Sequence, residues 1–342
     1  MKRCVTKKMI SILAVLVLLL LFAANILWGS VDIPLGDVLS VIFGDGSEHE
    51  SWNYIILESR LPQAITAMLA GAAMSVAGLL LQTIFRNPLA GPEVLGVNSG
   101  AGLGVAVAML VFHGVLSVGD ETFGARMLEM GGAFLGAASI MAIILLLSVL
   151  LRNNIFLLIA GVAVGYITSS VISLLNYSAT SEGVHSYMVW GMGSFAAVTM
   201  EEMLLFAPII LVHLCFSLLM VKQLDALLLG DVYAGNLGVN VKFVRVFALV
   251  VTGALTAVVT AFCGPIAFIG LAVPHIARLS LGSNSHKWLM PAVIILGASV
   301  ALMCNLICQL PGESGLLPLG AVTPLIGAPV IIYVVLRSRR GG

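Results

Sequence analysis

Uninterrupted apolar runs such as Ile10–Trp28 and Val241–Cys263 decide most of what this chain can become. Each is about long enough to cross a hydrocarbon core of roughly 30 Å as an α-helix. In lipid every backbone polar group must find a partner within the structure, which leaves helices or closed barrels. Barrel strands alternate apolar and polar residues, and these runs do not. The expected fold class is therefore an all-α polytopic membrane protein. Composition agrees, with 60% hydrophobic residues, 9% charged residues and a mean hydropathy of +1.12. A soluble chain, at roughly 25% charged residues, can cover itself with polar surface; this one cannot. No stretch between the apolar runs is long enough for a separate soluble domain, so residues 1–342 read as one transmembrane domain. The basic start (Lys2, Arg3, Lys7, Lys8) leads into a stretch too long for a signal-peptide core, with no clean small-x-small cleavage site. It reads as a retained first span.

Ten apolar runs are expected to be helices, near 9–28, 62–84, 95–113, 128–151, 155–176, 203–221, 243–263, 265–279, 286–308 and 319–337. Orientation follows from the bias of Lys and Arg toward cytoplasmic loops. With the N-terminus inside, only Arg60 and Arg126 of the sixteen Lys and Arg residues fall outside. Of the sixteen acids, Glu93, Asp225 and Asp231 fall inside and the other thirteen outside. A wrong span count would scramble this separation, so ten spans with both termini cytoplasmic are expected.

Within the spans, Gly96, Gly100 and Gly104 form two successive GxxxG steps, and Gly132/Gly136 and Gly161/Gly165 repeat the spacing. Close helix packing accounts for this pattern, and a helix that shifts or lines a polar path would also suit it. No Asp or Glu is expected near the middle of any span, which disfavours an ion-driven secondary transporter. His213 is the one central ionisable candidate and reads as a satisfied packing residue. Cys304 and Cys308, at i and i+4, could supply two metal ligands but read as small packing residues. HExxH, GxSxG and GxxxxGK[ST] are all missing from the sequence, so no metalloprotease, serine-hydrolase or phosphate-loop site is expected. Ser99 in "GVNSG" has no convincing His partner for an intramembrane protease. The chain is expected not to be an enzyme, to bind no metal or cofactor itself, and to have no nucleic-acid partner.

The segments assigned to the cytoplasm say more. "FRNPLAGPEVLGVNSG" (Phe85–Gly100) leaves the second span through two prolines and re-enters as the third. "LDALLLGDVYAGNLGVNVKFVR" (Leu224–Arg245) reads as one or two short helices broken at Gly230 and Gly238. Leu227–Leu229, Ala234 and Leu237 can share an apolar face there, for self-packing or for a partner.

At these residues the chain resembles the permease subunits of bacterial ABC importers for iron chelates (siderophores), haem and vitamin B12, the FecCD-like type II importers. The resemblance rests on Arg60–Ala101, "VWGMGSF" (Val189–Phe195), "GPIAFIGLAVPHIAR" (Gly264–Arg278) and "GAVTPLIGAPVIIYVVLR" (Gly320–Arg337), in the family's order over nearly the whole chain. It implies a homodimer in the inner membrane, two ATPase subunits that carry ATP and Mg, and a periplasmic or lipoprotein substrate-binding protein. It assigns coupling to the ATPase to a segment about 224–242, with Leu229, Gly230, Asp231, Ala234, Leu237 and Gly238, together with Pro274, His275 and Arg278. It places a cytoplasmic gate at Asn87, Leu89, Asn153 and Asn154, and a binding-protein contact at Arg60. Further outward arginines common in relatives are replaced by Gln63 and Gln309, and Leu316 stands where a Glu is common. The partner is therefore expected to present basic or polar groups beyond Arg60.

"GPIAFIGLAVPHIARL" (Gly264–Leu279) is expected to descend as a short, broken helix, its Gly264 end outside and its His275/Arg278 end inside. His275 is expected to pack near the coupling segment.

Overall fold

The computed structural model describes residues 2–29, 31–44, 47, 49–112, 123–151, 154–310 and 315–338. Each of the ten expected apolar runs contains a helix. Seven are helices long and apolar enough to cross a membrane, and three are shorter, at Val97–Val111, Ile269–Leu281 and Leu319–Val334. In chain order the α-helices are α1 (Lys2–Leu27), α2 (Leu35–Phe43), α3 (Glu50–Tyr54), α4 (Leu61–Phe85), α5 (Val97–Ala106), α6 (Phe123–Leu150), α7 (Asn154–Ser178) and α8 (Ser181–Gly191). There follow α9 (Met200–Leu219), α10 (Val221–Leu227), α11 (Asp231–Asn236), α12 (Val241–Cys263), α13 (Ile269–Leu281), α14 (His286–Cys308) and α15 (Leu319–Ser338).

The helix α4 is apolar on every side, as a helix surrounded by protein should be. Nearly all its residues from Pro62 to Phe85 are buried. It packs against α14, α12, α13 and α9. The outer helices α1 and α7 instead turn Leu13, Leu16, Leu19, Tyr166, Ile167 and Leu174 outward, as a lipid-facing surface requires.

The glycine pattern pairs with itself. Gly104 meets Gly132, Gly100 meets Gly136, and Gly96 meets the backbone of Gly161 and Gly165, so α5 lies almost backbone to backbone against α6 and α7. Without a hydrophobic driving force in lipid, such contact is a main source of helix attachment. A second glycine contact joins α4 to α13. Pro274 removes the amide that the Gly270 carbonyl would have bonded. That carbonyl lies against Gly78, where a Cβ would overlap it.

The stretch Gly264–Leu279 is broken, as expected. Residues 264–268 are non-helical, Gly264 and Phe268 have φ of 75° and 66°, and only Ile269–Leu281 is helical. Its depth follows from Gly78, seven residues before the end of α4, or about 10 Å along the axis. The stretch therefore turns helical inside the bundle. Glu93, counted with the cytoplasmic acids, turns into the bundle, where Oε1 accepts the Phe268 N–H at 2.8 Å. It caps the start of α13 from a segment 175 positions away. Local sequence could not reveal this, because only the tertiary fold brings a helix start to Glu93.

Lys7 sits over the Trp288 ring at 5.7 Å. The start of α1 thus lies at the same end of the bundle as the start of α14, and the ends of α4 and α13 join them there. Arg126 pairs with Glu202 at 2.7 Å at the other end.

Candidate functional site

The four motif stretches converge on the broken helix. Ser194 N–H, in "VWGMGSF", donates to the Cys263 carbonyl at 2.8 Å. Gly320 N–H at the start of α15 donates to Met192 O at 2.8 Å. Gly327 of α15 leaves room for the Phe268 side chain. His275 is buried and its Nε2 lies 2.7 Å from Pro88 O, in the turn after α4. That carbonyl can only accept, so Nε2 carries the proton. His275 thus packs against the turn after α4, the turn that Arg86 ties to Leu227 and Asp231 of the segment 224–242. Asn87 Oδ1 accepts the Leu89 N–H at 2.9 Å, shaping that turn, and Leu89 is exposed. Asn153 lies outside the described residues, as does the side chain of Asn154.

The segment 224–242 forms the expected pair of short helices, α10 and α11, with Gly230 and Gly238 at φ of 110° and 83° as the breaks. Asp231 is their anchor. It pairs with Arg86, just after α4, and with Arg245 at 3.1 Å in α12. The Arg86 backbone, at φ 47°, ends α4 in the left-handed conformation, and its guanidinium also reaches Leu227 O. Three cationic and anionic groups therefore fasten α11 to two long helices. The apolar face is not the one expected. Leu227 and Ala234 are buried and hold the segment to the bundle, whereas Leu229, Tyr233, Leu237 and above all Val232, 81% exposed, point outward.

Asp225, read in the sequence only as a cytoplasmic acid, caps α14 from outside that helix. Its carboxylate accepts the His286 N–H at 2.6 Å, the His286 ring at 2.9 Å and the Ser285 hydroxyl at 2.9 Å. Burial alone would raise its pKa, but these hydrogen bonds and the His286 ring together hold it below the ordinary aspartate range. A carboxylate at a helix N-terminus satisfies free amides and complements the dipole.

Arg60, expected to contact a binding protein, is turned inward. It is 4% exposed and donates to Ile26 O and Leu27 O at 3.0 Å, and to Val31 O. Its guanidinium closes the end of α1, where free carbonyls favour a cation. Gln63 and Gln309 are likewise turned inward. Gln309 bonds Gln63 at 3.3 Å, Gln63 bonds Asn305 at 3.0 Å, and Asn305 bonds Asn25 at 2.7 Å. This amide ladder ties α1, α4 and α14 together, so these positions offer a binding protein little. His213 bonds the Ile209 carbonyl of its own helix at 2.7 Å. Among the described residues no three His, Cys, Asp or Glu side chains gather as metal ligands.

The family described as the FecCD transport family matches residues 16–337. A vitamin B12 import system permease protein of Klebsiella pneumoniae is 35% identical over 96% of this chain and 93% of its own length. A hemin transport system permease protein of Yersinia pestis is 32% identical, covering 96% of this chain and 95% of that one. A solved structure described as an inward-facing conformation of a metal-chelate type ABC transporter superposes with a TM-score of 0.83 at 27% identity. That match covers 96% of this chain and 99% of the other.

Proposed function

The chain belongs to the FecCD transport family, and from that premise we propose that it is the permease subunit of an ATP-driven importer in the bacterial inner membrane. In this reading it works as a homodimer with both termini cytoplasmic. Two ATPase subunits carry the ATP and Mg, and a binding protein delivers substrate from the outer side. The substrate class is a metal-bearing chelate or macrocycle: ferric siderophore, haem or cobalamin. Relatives named for vitamin B12 and hemin transport support that class without ranking its members.

The observation that carries the reading is the outward apolar face of α11. Val232 and Tyr233, with Leu237 just after them at the C-cap, are exposed on a helix of six residues, too short to hold its shape alone. Asp231, Arg86 and Arg245 fix it. Apolar side chains on a fixed support suit docking on a protein partner. A displacement of α11 by a closing ATPase pair passes through Arg86 to α4, the most buried helix, and through Arg245 to α12. ATP shifts the inward–outward equilibrium only by its differential affinity for the two states, and α11 is the contact through which that difference would reach the spans.

The test is uptake into proteoliposomes holding this chain and its ATPase, with the binding protein offered cobalamin, haem or a ferric siderophore. Vanadate-sensitive uptake that survives collapse of the proton gradient supports the reading. Uptake that follows the proton gradient and ignores vanadate would replace it with an ion-driven transporter.

A further inference from the structure

A cavity of about 220 Å³ opens where α4 and α13 end and α14 begins, and its polar walls are Gln82, Thr83, Arg86, Arg278, Asn284 and His286. The volume is below that of pockets for drug-sized ligands, roughly 300–1,000 Å³, and suits a small polar group. Charge decides which kind. Both nearby acids are already engaged: Asp225 by Ser285 and His286, and Asp231 by Arg86 and Arg245. Arg278 has no carboxylate partner among the described residues. Its one hydrogen bond runs from Nη1 to Gln82 Oε1 at 2.6 Å, which leaves most of a five-donor guanidinium unspent. A partly buried cation without a counter-charge is costly. The carbonyl end of α13 offsets some of that charge, while the amino-terminal end of α14 adds positive potential to the same space.

We propose that this cavity binds a phosphoryl anion between Arg278 and Arg86, with Asn284 as a neutral donor at the mouth. Guanidinium groups match phosphoryl oxygens in geometry as well as charge. Gln82 and Thr83 lie in the last turn of α4 and Arg278 in the last turn of α13, so the cavity sits at the edge of the apolar zone. That level is open both to a phospholipid headgroup and to free phosphate. The bound group would join three helix ends through one ligand, beside the Arg86–Asp231 contact. The inference does not depend on the importer reading, because it concerns the chain alone.

The experiment uses the purified full-length chain in detergent and two variants, Arg278→Gln and Asn284→Asp. Asn284 is exposed, so its variant should fold even if the other does not. In one arm, thermal stability is measured against inorganic phosphate with chloride at matched ionic strength. In the other, native mass spectrometry follows phosphatidylglycerol retained after incubation with phosphatidylglycerol vesicles, with phosphatidylcholine as the control. Loss of one charge-assisted contact should weaken binding at least about tenfold. Saturable stabilisation by phosphate, weakened that much in the variants, identifies a free anion. Retention of phosphatidylglycerol that the variants lose identifies a headgroup. If neither ligand prefers the wild-type chain, or if Asn284→Asp binds both as well as wild type, the proposal is wrong.

Discussion

Replacing Gly78 by Ala tests the joint that positions the broken helix. The added methyl would lie 2.8 Å from the Cα of Gly270 and would overlap its carbonyl oxygen. Carbon atoms pack favourably at about 3.5–4.0 Å, so clearing the Cα alone requires roughly 0.7 Å between α4 and α13, and clearing the nearer carbonyl requires more. The obstacle is backbone and cannot rotate away. The cost should therefore sit near the top of the overpacking range, about 3 kcal/mol. Ala is the better helix former by about 1 kcal/mol, which leaves a net loss near 2 kcal/mol. With about 2.1 cal/mol/K of unfolding entropy per residue, the 342 residues give about 0.7 kcal/mol/K. The expected fall in Tm is then about 3 °C. Gly131→Ala is the control, since nothing lies within 4 Å of a Cβ there; it should gain about 1 °C. The assay is tryptophan fluorescence on heating, with both variants in one detergent. A Gly78→Ala protein as stable as the Gly131→Ala protein would refute the close approach of α4 and α13.

Three further outcomes are expected. Asp225→Asn should lower stability at pH 7. Because the folded carboxyl is held below its ordinary range, its contribution is present above the unfolded pKa and lost as pH falls through the folded one. The gap between wild type and variant in denaturant titrations should therefore close in acid. Val232→Asp and Leu237→Asp, both on the exposed face, should leave the chain folded by size-exclusion profile but abolish stimulation of the ATPase partner, while Ala234→Asp should destabilise the chain itself by burying a charge. Arg60→Ala should reduce stability with Arg60→Lys recovering part of it, and the salt dependence of binding-protein affinity should stay unchanged.

Much of the scaffold was legible because lipid leaves a chain few options. Run length located the seven long apolar helices and the three shorter ones, glycine spacing located the α5–α6 contact, and Gly230 and Gly238 located the breaks around α11. The illegible parts share one physical cause: they depend on partners distant in sequence. Arg60 looked like an outward charge because its acceptors are carbonyls of Ile26, Leu27 and Val31, and a carbonyl leaves no mark in a sequence. Gln63 and Gln309 looked like replaced docking residues because their ladder needs Asn25 and Asn305 beside them. The face of α11 was misassigned because its six residues cover less than two turns, too few for periodicity to choose a side.

The caps on α13 and α14 have a consequence for biogenesis. Glu93 is synthesised 175 residues before Phe268, and Asp225 is 61 residues ahead of His286. Each carboxylate leaves the ribosome well before the helix start it will satisfy. Until α13 arrives, Glu93 has no Phe268 amide to meet, and keeping the carboxylate hydrated would hold Pro92–Leu95 near the aqueous boundary. The third apolar run would then settle to its final depth only after the eighth has been made. Insertion of this chain would accordingly finish from the middle outward, with an early segment waiting on a late one.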